Sequence, residues 1–144
     1  MKCKLFIDKD TPQERVEIYA REITREVEEI KSFSESFETS IVGYTDENTV
    51  KLSLAEIYCF TVEDSKVFAL TKEKKYRLKL RLYQIEAMLT EDFLKLNQSC
   101  IGASSKILRF EVPFSGALNV VFKNGHRDYV SRRNLKAVKE RFLK

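Results

Sequence analysis

Apolar and polar residues alternate along most of this chain, and the period of the alternation sorts it into elements. Near the N-terminus "KCKLFID" sets Cys3, Leu5 and Ile7 on one face. After the Thr11-Pro12 turn "ERVEIYA" does the same with Val16, Ile18 and Ala20, so two short strands are expected. The period then lengthens. Ile23, Val27, Ile30 and Phe37 follow helical spacing while "REVEEIK" supplies a charged outer face, which predicts one amphipathic helix from about residue 21 to the middle thirties.

From residue 39 onward the period is mostly two. "TSIVGY", "NTVKLS", "IYCFTVE", "KVFALT", "KYRLKL", "ILRFEVPF", "ALNVVFK" and "RDYV" read as strands, separated by turn chemistry at Asp46-Glu47-Asn48, Asp64-Ser65, Ser115-Gly116 and Asn124-Gly125. The strongest hairpin signal is Leu118, Val120 and Phe122 alternating before Asn-Gly. Pro113 cannot donate to a ladder, so its strand is expected at an edge or a bulge. Two helical stretches interrupt the strands: "LYQIEAML", with Leu82, Ile85 and Leu89 on one stripe, and a closing helix with Leu135, Val138 and Phe142 on one stripe and Ser131 as its N-cap. The fold class expected is a mainly β domain over residues 41–144, preceded by a small strand-plus-helix extension over residues 1–40.

Composition adds the scale. With 144 residues, 43% hydrophobic and 11% aromatic, the chain can bury a real core and is expected to be a soluble globular protein. "MKCKLFIDKD" lacks a signal-peptide run, and "LSLAEIYCFTV" is too short to span a bilayer, which together predict a cytoplasmic location. The three cysteines, Cys3, Cys59 and Cys100, are odd in number and far apart in apolar runs; buried thiols are expected, with no disulfide framework, metal site or cofactor.

Charge is distributed unevenly. Residues 1–40 carry 7 Lys+Arg against 10 Asp+Glu, residues 41–122 carry 11 against 10, and residues 123–144 carry 8 against 2. A basic end on a balanced domain suits a polyanion, because clustered cations release counterions from phosphates; a solvated terminal helix has the same composition. Catalytic chemistry has little to work with. The single histidine, His126, follows a hairpin turn and reads as exposed, no Ser/His/Asp set can be assembled around it, and the four glycines are isolated. Glu63-Asp64 and Glu91-Asp92 read as turn and capping carboxylates, so no enzyme and no small-molecule substrate are expected.

Two segments have recognition chemistry. In "SRRNLK" a capped helix start sends Arg132 and Arg133 out from a rigid corner. "FLKLNQSCIGASSKI" reads as a polar loop with Asn97, Gln98, Ser99, Ser104, Ser105 and Lys106 between the anchors Phe93, Leu96 and Ile101. Arg bonds guanine and Gln bonds adenine through paired hydrogen bonds, so these residue types suit the major groove; a loop facing water would also contain them.

The order of features adds a resemblance. "EIYCFTVEDSKVFALT", a basic strand, "LRLYQIEAMLTEDFLKLNQSCI", a strand pair through "KNG" and then "YVSRRNLKAVKERF" resemble the LytTR-type DNA-binding domain of bacterial transcription regulators, over residues 41–144. The resemblance implies elongated antiparallel β-sheets whose connecting loops enter successive major grooves of double-stranded DNA. It carries over to Lys66 in "EDSKV", Gln98 in "LNQSC" and Arg133 in "SRRNLK" as DNA-facing positions, with Asn97 and Ser99 beside Gln98, and Ser131, Arg132, Asn134 and Lys136 as phosphate or flanking contacts. Two departures stand out. Gly102-Ala103 replaces the usual Val-Asn, so a local side-chain hydrogen bond is expected to be missing, and Asn97-Gln98 replaces the commoner His/Ser followed by Arg/Lys, which changes the bases read.

Many relatives place a phosphorylatable receiver before this domain; 40 residues are too few for one. The short extension therefore implies a stand-alone regulator, a homodimer at paired sites, in which the extension binds a second copy or a small membrane protein or else covers one sheet edge. A protein-interaction module partnered with a membrane protein through its acidic N-terminal helix, with weak or no DNA binding, is the alternative. A single-strand binder is a third reading, opposed by Phe60, Phe68, Phe110 and Phe122 at alternating, core-like positions.

Overall fold

The computed structural model describes residues 1–144 except 13, 38, 39, 113, 115, 143 and 144, and the Ser36 side chain. Among the described residues ten strands form two antiparallel sheets. In chain order they are β1 (Ser40–Tyr44), β2 (Thr49–Ser53), β3 (Cys59–Glu63), β4 (Lys66–Leu70), β5 (Lys75–Leu78), β6 (Phe93–Asn97), β7 (Cys100–Ala103), β8 (Ile107–Glu111), β9 (Leu118–Phe122) and β10 (Arg127–Val130). The helices are α1 (Arg25–Ser36), α2 (Leu82–Glu86) and α3 (Arg132–Phe142). The larger sheet runs β2-β1-β5-β4-β3-β7-β6, and the smaller runs β10-β9-β8.

β3 lies inside the larger sheet with a core on each face, and that explains its nearly continuous apolar run. Phe60 enters a cluster with Ile41, Leu52, Leu54, Ile57, Val67, Ala69, Leu78, Ile101 and, from α2, Ile85. Cys59 enters a second cluster with Leu96, Cys100, Val120, Phe122, Val130 and, from α3, Val138. Alternation along a strand sends neighbours to opposite faces, so one strand serves both cores. On α3 the stripe of Leu135, Val138 and Phe142 packs into the second core as its spacing predicts.

The mainly β class, the short helices and most of the strands agree with the sequence reading, and four expectations need correcting. "FLKLNQSC" is a hairpin of β6 and β7 with Gln98 and Ser99 at its turn, where a polar loop was expected; Phe93 and Leu96 face different cores, which erases simple alternation. Residues 1–20 form no strand among the described residues, because no strand of this chain pairs with them, and an unpaired strand has no ladder to hold it. Their apolar residues Leu5, Phe6, Ile7, Val16 and Tyr19 are exposed, as is Cys3. His126 is not an exposed turn residue: its side chain is 23% exposed and its ring lies 5.8 Å from that of Phe122. Pro113 lies outside the described residues, although β8 is an edge strand with a register shift between Ile107 and Arg109.

The expected helix starts at Arg25, where Thr24 Oγ1 accepts a hydrogen bond from Val27 N at 3.3 Å. Its apolar stripe is poorly docked: Ile23 and Phe37, at either end, and Ile30 between them are exposed.

Gly102 has a packing reason of its own. A Cβ built there would sit 2.6 Å from Phe122 Cζ and 3.1 Å from Leu96 Cδ1, and both of those residues are fully buried. The Phe122 ring thus fills the space that a side chain at position 102 would take. Gly102→Ala is expected to lower stability by about 1–3 kcal/mol through overpacking, read as a fall in the urea midpoint with an unchanged slope.

Candidate nucleic-acid interface

Three chain reversals meet at one edge of the domain. The first joins β3 to β4. Asp64 and Ser65 have φ of 51° and 63°, a two-residue turn in the left-handed region whose twist suits a hairpin, and the flanking pair is Glu63 with Lys66. Lys66 leaves this turn exposed.

The second reversal is Gln98-Ser99. Because β7 runs antiparallel to β3 with Cys100 opposite Thr61, this turn emerges beside the end of β3 that leads into the first turn. Val62 N donates to Ser99 O at 2.9 Å and joins the two. Gln98 and Ser99 are exposed, whereas Asn97 is 1% exposed and points inward. Its Nδ2 donates to Asp128 Oδ1 and to the Tyr129 carbonyl, each at 2.8 Å, and its Oδ1 accepts from Ser99 N at 2.8 Å. Asn97 therefore fastens the turn to β10.

The third is the junction from β10 to α3. Ser131 N donates to the Leu96 carbonyl at 2.9 Å, so the start of α3 is tied to β6 just before the second turn. Ser131 directly precedes α3, and its Oγ accepts from Asn134 Nδ2 at 2.7 Å. That leaves Asn134 half-buried and engaged, while Arg132, Arg133 and Lys136 are exposed. Taken against the inward stripe of Leu135, Val138 and Phe142, Arg133 points nearly straight away from the core and Arg132 to one flank, beside Lys136. Lys66, Arg132, Arg133 and Lys136 have no ion-pair partner among the described residues, so their charge is available to a ligand.

Next to Lys66 the surface forms a groove of about 630 Å³ that also has Lys75, Arg77 and Lys79 in its wall. Two of these cations are held over aromatic faces: Lys75 Nζ lies 4.4 Å from the Phe68 centroid, and Lys79 Nζ lies 4.5 Å from that of Tyr44. Lys75 is also paired with Glu63. The sequence signal for this wall was present in "KYRLK", where positions 75, 77 and 79 alternate and so put their charge on one face of a strand. Ser104, Ser105 and Lys106 from the expected polar loop have other uses. Asp92 accepts from Ser105 N at 3.1 Å and Ser105 Oγ at 2.8 Å, Ser104 is buried, and Lys106 Nζ lies 5.1 Å from the Tyr58 ring.

Behind the second and third reversals lies a buried polar group. Burial pushes the Asp128 carboxyl up, but hydrogen bonds from His126, Tyr129 N and Asn97 outweigh it and hold the group below its ordinary range. Asp128 in turn raises His126 to about 9, with Cys100 adding to the effect. Cys100 is itself pushed up, first by its contact with Cys59 and then by burial.

Comparison with known proteins gives this arrangement a family context. The family described as LytTr DNA-binding domain matches residues 47–143. An uncharacterized HTH-type transcriptional regulator of Staphylococcus aureus strain NCTC 8325 is 31% identical over 143 residues, spanning 98% of this chain and 97% of its own length. One from strain MRSA252 matches to the same extent. In the present chain the described helices are separated by strands, so no helix-turn-helix pair is formed among the described residues. Among solved structures, the LytTr DNA-binding domain of a methyl-accepting/DNA response regulator from Bacillus cereus superposes with a TM-score of 0.66 at 17% identity, covering 72% of this chain and 95% of that one. That likeness concerns the fold.

Proposed function

This chain belongs to the LytTR family of DNA-binding domains, and from that premise we propose that it is a transcription regulator that reads double-stranded DNA sequence-specifically through its three neighbouring reversals, each presented to a major groove. The family and the relatives' names point to a DNA-binding regulator, not an enzyme. One observation carries the finer reading. Lys66, Gln98 and Arg133 come from separate parts of the chain, yet their reversals are joined by the Val62–Ser99, Asn97–Tyr129 and Ser131–Leu96 hydrogen bonds. Side chains fixed relative to one another can test several bases at once, which loose tails cannot.

In this reading Gln98 and Arg133 contact base edges, Ser99 and Ser131 line the same edge, and Lys66, Arg132 and Lys136 hold phosphates. Asn97 and Asn134 act by positioning, since their amides are already engaged within the protein. The groove cations Lys75, Arg77 and Lys79 extend the phosphate track, and the protein works in the cytoplasm, with its DNA. Among the described residues no helix is long and apolar enough to cross a membrane. Phe60 and Phe122 are fully buried, which removes two of the aromatic faces a single-strand binder would stack on bases.

The experiment that tests this is selection of bound duplexes from a random DNA pool. A recovered motif supports the reading and names the operator; an unenriched pool sinks it. A salt titration adds the electrostatic half: affinity should fall steeply as salt rises, and Arg132→Ala should weaken specific and scrambled duplexes alike and lower the salt slope by about one.

The exposed apolar residues of the N-terminal segment favour a second role for residues 1–40, as a surface for another copy of the chain or for a small membrane protein. Leu5, Phe6, Ile7, Val16, Ile23 and Phe37 are too many exposed large side chains for a purely solvated extension. Deleting residues 1–38 should leave a folded β domain that still binds a single site, while self-association or binding at paired sites weakens. An unfolded truncation in circular dichroism would make the extension part of the core.

A further inference from the structure

Cys59 on β3, Cys100 on β7 and His126 beyond the tip of the β9–β10 hairpin converge, although 41 and 26 residues separate them in the chain, so that their ligand atoms all lie within 4.8 Å of one another. Strand register explains the meeting. Cys59 is opposite Gly102 and Thr61 is opposite Cys100, so Cys59, Thr61 and Cys100 share one face of the larger sheet. That face packs on the smaller sheet, whose hairpin brings the imidazole. The turn is tight: Gly125, with φ of 90°, lets Gly125 N donate to the Phe122 carbonyl at 2.9 Å.

The imidazole is oriented from several sides. Asn124 Oδ1 accepts from His126 N at 3.1 Å, Nε2 lies 3.2 Å from Asp128 Oδ2, and the ring leans on Phe122. Both thiols are fully buried, and the partly exposed His126 ring stands at the solvent side of the group. A buried polar atom also lies on this face. Thr61, 4% exposed and on the same sheet face as both thiols, has a buried hydroxyl with no hydrogen-bond partner among the described residues. Orphaned buried hydroxyls are uncommon, and each calls for an explanation.

We propose that Cys59, Cys100 and His126 form a binding site for a thiophilic d10 cation, Zn(II) or Cu(I). Two sulfurs and one imidazole are the soft donor set such ions select over magnesium or calcium. Metal–sulfur bonds of about 2.3 Å and metal–nitrogen bonds of about 2.0 Å put tetrahedral donors about 3.5–3.8 Å apart, so no pair of the three atoms has to close by more than about 1 Å around an ion. Loading exchanges the two thiol protons, and any proton on the coordinating nitrogen, for the cation. The site joins β3 and β7 to the β9–β10 hairpin, and through Asp128 and Asn97 it reaches the Gln98-Ser99 turn. It does not depend on DNA recognition by that turn.

The test uses the full chain, reduced and stripped with a chelator, then titrated with Zn(II) against a chromophoric chelator and, without oxygen, with Cu(I) against bathocuproine disulfonate. One equivalent of either ion is expected to bind and to raise the thermal midpoint; the arm that binds identifies the ion. Co(II) in place of Zn(II) should give thiolate-to-cobalt charge-transfer absorption. Cys3→Ser should bind as the parent does, whereas Cys100→Ser and His126→Asn should lose about 10-fold or more in affinity, at least what loss of an outer-shell partner costs. Should Cys100→Ser fail to fold, His126→Asn, near the hairpin surface, still decides. No uptake of either ion, uptake unchanged in His126→Asn, or uptake lost in Cys3→Ser would each overturn the proposal.

Discussion

Arg133→Ala is expected to weaken binding to the specific duplex by about 1–3 kcal/mol and to leave binding to scrambled DNA almost unchanged. A guanidinium that bonds guanine O6 and N7 together does so only where guanine is present, so the loss belongs to the right base alone. The geometry supports this division between neighbours. Arg133 points away from the core at the first turn of α3, whereas Arg132 points to the flank shared with Lys136. One direction suits a base edge and the other the sugar-phosphate backbone. Titration of both variants against the selected duplex and its scrambled form checks the assignment; equal losses on the two DNAs for Arg133→Ala would reduce the pair to a basic helix end near a polyanion.

Asn97→Ala is expected to destabilise the fold by about 1–3 kcal/mol, because truncation leaves partly buried partners unpaired. The Tyr129 carbonyl loses a donor, Ser99 N loses its acceptor, and Asp128 loses one of the contacts that keep its buried carboxylate ionised. Chemical denaturation measures the first effect. The second is functional. With the tie between the Gln98-Ser99 turn and β10 gone, two of the three reversals are no longer fixed to each other, so the ratio of specific to scrambled binding should fall even where the variant is fully folded. Gln98→Ala, which leaves the tie intact, should preserve stability. Asn97→Asp should do no better than Asn97→Ala, since it puts a second carboxylate against Asp128. A stable Asn97→Ala with undiminished discrimination would show that the turn holds itself.

The legible part of the site was its chemistry. Arg132, Arg133 and Lys136 at a capped helix start, Lys66 beyond a polar turn and Gln98 in a polar stretch were all visible as residue types, and the structure leaves these five exposed. Asn97 was visible as a polar residue in the same stretch but not as a buried one. Whether an amide faces water or a neighbouring strand depends on what packs beside it, here β10, more than 30 residues away. The hairpin of β6 and β7 was hidden for a related reason. A strand buried on both faces loses the alternation that announces a half-buried strand.

By itself the sequence determined what short-range physics can determine. Period two produced most of the strands, period 3.6 produced the α3 stripe that places Leu135, Val138 and Phe142 inward, Asn124-Gly125 marked a hairpin, and the uneven charge marked the basic end. Tertiary structure alone decided which of these elements meet. The pairing of β3 with β7 aligns two turns, the Ser131–Leu96 bond adds the third, and the same pairing sets Cys59 and Cys100 beside His126 despite their distance along the chain. Among the described residues it also left 1–20 without a strand to pair with, so their alternation produced no strand there. Alternation fixes which face a side chain takes, because it is a property of neighbouring residues; register between distant strands is fixed by the burial and hydrogen bonding of the whole sheet, which no local pattern contains.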